Sequence, residues 1–408
     1  HAAVYAIKNE TKIAEKICNE LMLNAYKLTT TLNEIKDINF IAPESGSDVF
    51  VDKFRVCHDV LGYLARFCQS GDTAIELHSP KAIVARSKGS KLWSVDPYDD
   101  HLTRLTQQVW DAMTQEEHSM PLGHDGYLKL WSLHEPTINT DFILLDEAQD
   151  TNDAVLSVLS HQKSQVVYCG DRYQQIYEWR GAVNALSKIQ LSGEDGVNVC
   201  YLTQSFRFGR AIGHYANLIL DALKEPKRID GIGPKTNLET SSPVVLCRSN
   251  IGVLVHLVGE LRGKSDGRKV HILGGTSELR QLVEDVKRLQ QGQPVNTGDL
   301  YGFETWEQLV ELAEKPEGAQ FKLLVQLVMA TGTDVLIWLL EQPVKSEHEA
   351  DITLSTTHKA KGREWRLVSL AEDYSLDWLE KAARGESLNL DDQEEARIFY
   401  VAVTRASE

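Results

Sequence analysis

Two adjacent carboxylates, Asp146 and Glu147, follow directly on the apolar run Phe142 to Leu145. An apolar strand that ends in two acids delivers both to one crevice. One carboxylate can hold Mg²⁺ through water while its neighbour orients or deprotonates an attacking water, and phosphoryl transfer needs both tasks done. Taken alone, the pair is equally a strand ending in solvated acids. The continuation Ala148-Gln149-Asp150 favours chemistry. A second stretch runs from Gly170 through Asp171 to Ala182. Gln174 within it carries an amide that both donates and accepts, which suits sensing a terminal phosphate. Tyr177 and Trp179 are aromatics in a polar, turn-rich setting. They are either core rings or platforms on which bases stack, each worth about 1–3 kcal/mol without sequence preference.

The elements that must position these groups are short apolar runs ending in polar residues: Phe142 to Leu145, Gln165 to Cys169, Val244 to Leu246, Val270 to Leu273, Ile352 to Ser355 and Leu367 to Leu370. Continuous runs of this length read as buried strands of a parallel sheet. Helical patterns such as Ala154 to Leu159 and Arg210 to Leu223 alternate with them, which implies α/β architecture. Ligands in such sheets bind at the carboxyl ends of the strands. Asp146, Asp171 and the loop after Ser355 would then line crevices. Residues 10–120 and 276–350 lack this rhythm and read as mostly helical insertions. Lys224 to Ser242 reads as a surface loop.

Composition sets outer bounds. The chain has 408 residues, 43 basic against 59 acidic, for a formal charge of −16. At roughly 150 residues per domain this suggests two or three domains. Hydrophobic residues at 42% and charged ones at 25% fit globular protein and exclude collagen, coiled-coil and disordered classes. No apolar run approaches the ~20 residues of a membrane-spanning helix. The acidic total excludes a uniformly basic coat but not a local basic track for nucleic acid. Six scattered cysteines without a CxxC pair favour a reducing intracellular compartment, cytoplasm in a prokaryote or nucleus in a eukaryote.

Asp146-Glu147-Ala148-Gln149-Asp150, followed by Gly170-Asp171-x-x-Gln174-x-Ile176-Tyr177-x-Trp179-Arg180-Gly181-Ala182, resembles motifs II and III of the UvrD/Rep-like superfamily 1 DNA helicases. Leu202 to Phe208 resembles motif IV, Thr353 to Trp365 motif V, and Glu395 to Ala406 motif VI, in the family's order. Within the family, His124 to Trp131, Arg180 to Leu186 and Leu202 to Gly209 look like the F-box DNA helicase branch. The resemblance runs from about His124 to the last residue.

This resemblance implies two RecA-like parallel-sheet cores of the P-loop NTPase type, with ATP and Mg²⁺ as cofactors and single-stranded and duplex DNA as partners. The first core would cover 1–200 and the second 201–408. Residue by residue, Asp146 would coordinate the Mg²⁺ of ATP, Glu147 would activate water, and Gln174 would contact the γ-phosphate. Phe206 stands where the family stacks a tyrosine on adenine. Arg207 and Arg405 match arginines that reach the γ-phosphate and neutralise charge on the transferring group. Glu364 would hold the nucleotide, with Gly362 allowing close approach. Tyr177, Trp179 and His358 match positions that face the single strand, and His1 falls within a match to motif Ib. The implied activity is 3′-to-5′ translocation with duplex unwinding, in repair or recombination and alongside the proteins of those processes.

The Gly-x-x-x-x-Gly-Lys-Thr loop that cradles phosphates in this family is absent from the sequence. Gly263-Lys264-Ser265 is a decoy, since Val258 stands where the loop needs glycine. The expectation is therefore an N-terminally trimmed fragment, poorly active alone. An ATPase-inactive DNA-binding or scaffold module, or a helicase-like subunit of a nuclease complex, remains the alternative. The sequence also carries two basic clusters. Lys81, Arg86, Lys88 and Lys91 lie near Trp93, and are either a phosphate track or a solvated face. Lys359, Lys361, Arg363 and Arg366 lie in or beside motif V and read as a nucleic-acid contact.

Overall fold

The structure, a computed structural model, describes residues 35–41, 48–51, 53–75, 96–115, 118, 120–177, 185–192, 197–233, 242–263, 268–295, 299–300, 303–315 and 318–407. His1, Trp179 and the Lys81–Trp93 basic cluster lie outside the described residues. The chain divides into two compact units. The first holds residues 1–172 and 177–194, the second 195–408 together with the short segment Tyr173–Ile176.

In the first unit, strands β1 (Ile38–Ile41) and β2 (Asp48–Val51) pair antiparallel. The helical reading of residues 10–120 did not include this pair. Its runs of four residues are too short to set a period apart from noise. The helix Lys53–Gln69 packs along the helix Asp96–Thr114. Val56, Val60, Leu64 and Phe67 recur at three- and four-residue spacing and bury against Leu102, Leu105 and Val109. Phe67 meets Trp110 edge-on at 5.3 Å. Lys129, on the helix His124–Leu133, is fully buried in this core. Its ammonium donates to the Ser70 and Asp72 carbonyls beyond the end of the first helix and lies 4.4 Å from the Phe67 ring centre. A buried cation needs such partners.

Strands β3 (Phe142–Leu145) and β4 (Gln165–Tyr168) pair in parallel, with Leu145 opposite Tyr168. The sequence reading made both runs buried strands. The pairing is parallel, but the burial is one-sided. Phe142 and Leu144 are 57% and 64% exposed, and Val167 lies on the same face. In a two-stranded pair each face needs its own cover, and among the described residues only the Ile143 and Leu145 side is packed. The helix Asp153–Ser160 follows β3, its start capped by Asn152, which accepts from the Val155 N–H.

The second unit contains a four-stranded parallel sheet. In chain order its strands are β7 (Val244–Cys247), β8 (Val270–Ile272), β9 (Ile352–Thr356) and β10 (Val368–Leu370), in spatial order β10-β7-β9-β8. Val245 sits between Ser369 and Leu354, and Leu354 also faces Ile272. The two central strands are buried along their whole length, as continuous Val/Leu/Ile runs require when helices cover both faces. Helices Asn250–Gly263, Ser277–Gln290, Trp306–Ala313, Ala319–Thr331 and Thr333–Leu339 share one core with the sheet. A shorter parallel pair, β5 (Gln204–Ser205) with β6 (Asp230–Gly231), lies in this unit, so the stretch read as a loop carries a strand. A side chain on Gly231 would meet the Gly209 carbonyl at 2.2 Å, so only glycine permits that approach. The helix Leu390–Val403 begins with a capping box of Asn389 and Asp392, and buries Ala396 and Tyr400 against Ala216, Leu220 and Trp378. Among the described residues no single helix is long and apolar enough to cross a membrane; the bent pair Gln320–Thr331 and Thr333–Leu339 meets that test together.

Candidate functional site

The strand ends of the first unit present the paired acids. Asp146 and Glu147 follow β3 directly and are both exposed. Glu147 has φ +52° and ψ +40°, a left-handed conformation that costs a non-glycine residue energy and concentrates at functional sites. Local bonds hold it there. The Glu147 N–H donates to Asp146 Oδ1 at 2.9 Å, Ala148 N–H donates to the Cys169 carbonyl at 2.9 Å, and Asp150 N–H donates to the Glu147 carbonyl at 2.9 Å.

Gln149 was not singled out from the sequence, and it is the central support. It is 0% exposed. Its amide nitrogen donates to Glu147 Oε2, and its carbonyl oxygen accepts from Asp171 N–H at 3.1 Å. It thus ties the end of β3 to the end of β4. A side chain at Gly170 would meet Gln149 Oε1 at 2.2 Å, which explains the glycine there. The available signal was chemical. A buried amide two residues from a strained carboxylate, in a chain turning out of a strand, has few places to put its polar atoms except against that carboxylate.

The remaining described site residues gather in the second unit, apart from Tyr177, which is half-buried in the first. Arg405 lies in the turn after the helix Leu390–Val403 and is 1% exposed. Its guanidinium donates to the carbonyls of Val401 at 3.0 Å and Arg363 at 3.3 Å, to Thr404 Oγ1 at 3.3 Å and to Gln174 Oε1 at 3.3 Å. Gln174 and Arg405, 231 positions apart, therefore meet. Arg207 Nε donates to Glu364 Oε2 at 3.0 Å, so a motif IV arginine and a motif V acid are also brought together. Phe206, beside Arg207, presents a ring 42% exposed. Gly362 has φ +80°, in the left-handed region that favours glycine, two residues before Glu364.

The motif V cations are engaged internally, which bears on their reading as a nucleic-acid contact. Lys359 pairs with Glu278 at 2.9 Å, Arg363 with Glu347 at 3.2 Å, and Lys361 donates to the Gln174 carbonyl at 2.6 Å. Their positive charge is partly neutralised by these partners. Among the described residues no cluster of three metal-ligating side chains occurs. A hard cation here would take one carboxylate, Asp146, and complete its shell with phosphate oxygens and water.

His358 is turned inward. Its Nε2 donates to the Ile176 carbonyl at 3.1 Å. Burial, reinforced by the charge of Arg248, holds its pKa below the ordinary value, against the Ile176 bond and Glu395, with Lys361 adding to the depression. The folded state therefore disfavours the imidazolium. The unfolded chain binds that proton more readily, so stability is present above the ordinary histidine range and falls as pH drops through it. His358→Gln keeps a donor to the carbonyl and removes the titration. Thermal melts from about pH 7 to about pH 5 should show a smaller loss for His358→Gln than for the unmodified protein. Equal losses would mean that His358 binds its proton equally well in the folded and unfolded chains.

Parallel strands flanked by helices, with paired acids directly after one strand, fit an α/β fold of the RecA-like class. The comparisons with known proteins agree. Residues 129–190 match the UvrD/REP helicase N-terminal domain, and residues 278–408 the UvrD-like helicase C-terminal domain. The chain is 28% identical to F-box DNA helicase 1 of Gallus gallus over 90% of its length, and 28% identical to F-box DNA helicase protein 1 of Schizosaccharomyces pombe over 86%. A probable DNA helicase of Mycoplasma pneumoniae is 27% identical over 67% of the chain. The chain spans 38%, 42% and 43% of the lengths of these relatives. Two segments of the chain thus resemble the N- and C-terminal domains of the UvrD-like helicases, and the relatives it matches are named as DNA helicases.

Proposed function

We propose that this chain forms the motor region of an ATP-dependent DNA translocase, which moves 3′ to 5′ on single-stranded DNA, separates duplex ahead of it, and serves repair or recombination. The observation that carries the reading is the contact of Gln174 with Arg405. Both residues match positions that sense the γ-phosphate, and the fold gives them one location despite their separation in sequence. A binding surface has no need of that pairing. ATP and Mg²⁺ supply the transferable phosphoryl group and the charge that neutralises it. Asp146 would hold the cation and Glu147 would take a proton from water. Arg207 and Arg405 would stabilise the transferring group, and Phe206 would stack on the base, with Glu364 and Gly362 beside the nucleotide. Tyr177 is a candidate stacking platform for the single strand, as are Trp179 and His1.

The test is phosphate release by the full-length protein with and without single-stranded DNA, followed by unwinding of duplexes that carry either a 3′ or a 5′ tail. DNA-stimulated hydrolysis with unwinding of the 3′-tailed duplex is expected; unwinding of only the 5′-tailed substrate would reverse the polarity. One observation favours a second reading. The sequence holds no Gly-x-x-x-x-Gly-Lys-Thr loop, which suits a DNA-binding module without ATPase activity. That reading expects DNA binding with no stimulated hydrolysis in the full-length protein.

A further inference from the structure

The segment Tyr173–Ile176 belongs to the second unit although its sequence neighbours on both sides belong to the first. Four residues cannot form a core of their own, and the segment is held by side-chain bonds as well as by burial. Three successive carbonyls of the segment each receive a donor from a different basic side chain of the second unit. Lys361 Nζ donates to the Gln174 carbonyl at 2.6 Å, Arg397 Nε to the Gln175 carbonyl at 3.1 Å, and His358 Nε2 to the Ile176 carbonyl at 3.1 Å. At the other end, the Tyr173 hydroxyl donates to Glu225 Oε2 at 2.8 Å. Gln175 and Ile176 are buried.

The donors are themselves fixed. His358 lies in, and Lys361 just after, the short helix Thr357–Ala360 that follows β9, and Arg397 lies on the helix Leu390–Val403. That helix is bolted to the end of β7 by the two-pronged pair of Arg248 with Glu395, at 2.7 to 3.0 Å. The end of β7 is joined in turn to the end of β10 by Asp373, whose carboxylate accepts from the N–H groups of Arg248 and Ser249 and from the Ser249 hydroxyl at 2.8 to 2.9 Å. A side chain at Gly252 would strike Asp373 Oδ2 at 2.1 Å, so this junction is closely packed.

We propose that Arg397, with Lys361 and His358, is a positioning residue. The three basic side chains form a carbonyl clamp that fixes the backbone of Gln174 and so holds its amide against Arg405. Arg397 touches no reacting atom in this assignment. It acts through Gln174, and the proposal rests on the reading of Gln174 as the γ-phosphate contact. A donor prefers to approach near the plane of the carbonyl it meets, so three in succession restrict the rotation of these peptide planes and with it the direction in which the Gln174 side chain leaves the backbone. A side chain displaced by about 1 Å costs an enzyme on the order of 10²-fold in rate.

The decisive variant is Arg397→Met, which keeps the aliphatic stem and removes the donor, with Arg397→Lys as the conservative partner. In the full-length protein, Arg397→Met should lower kcat for DNA-stimulated ATP hydrolysis by about 10- to 100-fold, leaving KM for ATP within about twofold. Arg397→Lys should restore part of that loss. Hydrogen exchange in the peptide covering residues 173–177 should speed up in Arg397→Met while the peptides of β7 and β9 keep their protection. Unchanged kcat in a folded Arg397→Met protein whose parent hydrolyses ATP would overturn the clamp. If the parent itself shows no hydrolysis, the functional reading fails separately, and exchange decides: unchanged protection of 173–177 in Arg397→Met overturns the clamp, and loss confined to that peptide supports it. General unfolding in both variants, with lost protection everywhere, would also overturn it, because Arg397 would then be holding the fold rather than the segment.

Discussion

Arg405→Ala should lower DNA-stimulated ATP turnover of the full-length protein by about 10³- to 10⁵-fold, the range for arginines that neutralise a transferring phosphoryl group. The size of the effect follows from how little of this side chain is replaceable. Its guanidinium is buried and serves the Val401 and Arg363 carbonyls, the Thr404 hydroxyl and the Gln174 amide oxygen together. The planar fork reaches acceptors in several directions at once. An ammonium on a shorter, flexible stem does not, so Arg405→Lys should recover little. Alanine has a second consequence, since it leaves buried carbonyls without a donor, at about 1–3 kcal/mol for each group stranded. The thermal midpoint should therefore fall along with turnover. The lysine variant separates the two effects, because it retains charge and much of the packing. Near-normal turnover in a folded Arg405→Lys protein would remove the fork geometry from the mechanism.

The sequence exposed what is local and repetitive. Val244–Cys247 and Ile352–Thr356 are continuous apolar runs because both faces of the central strands are covered, and burial imposes that composition directly. The acids after β3 were visible because a polar pair ending an apolar run breaks the pattern. The same rule misjudged the cover over Phe142 and Leu144, because apolar composition says that a face wants cover and not what lies against it. Other roles were invisible for a related reason. Gln149 was visible only as part of the Ala148-Gln149-Asp150 continuation, and its own role comes from reaching the end of β4, 22 positions away. Arg397 looks like a surface cation of a helix with acids around it; its bond to the Gln175 carbonyl spans 222 positions. Asp373 and Arg248 are separated by 125 positions and meet only because β10 lies beside β7 in the sheet. Motif resemblance reached part of this, since the pairing of Arg207 with Glu364 joins two residues that the motifs had already named. It did not reach the supports, because their role depends on which carbonyl they face rather than on their own chemistry.

Glu147→Gln should reduce turnover by about 10²- to 10⁴-fold, the usual worth of a positioned general base, and should leave nucleotide affinity within a few-fold. The substitution is close to isosteric, and the neighbourhood supports it. Gln149 donates an amide N–H to Glu147 Oε2, and a glutamine at 147 can turn its own carbonyl oxygen to accept that bond. The left-handed backbone at 147 is held by the bonds through Asp146, Ala148 and Asp150, none of which uses the Glu147 carboxylate. The variant should therefore fold normally and lose one property, the ability to take a proton from water. This separates Glu147 from its neighbour. Asp146→Asn would weaken a cation ligand and so should reduce Mg²⁺-dependent nucleotide affinity as well as rate. Measured together, a rate loss without an affinity loss at 147, and both losses at 146, would assign base and metal ligand to the two acids. Turnover of Glu147→Gln close to that of the parent protein would mean that water is activated elsewhere, and the strained conformation at 147 would then need another explanation.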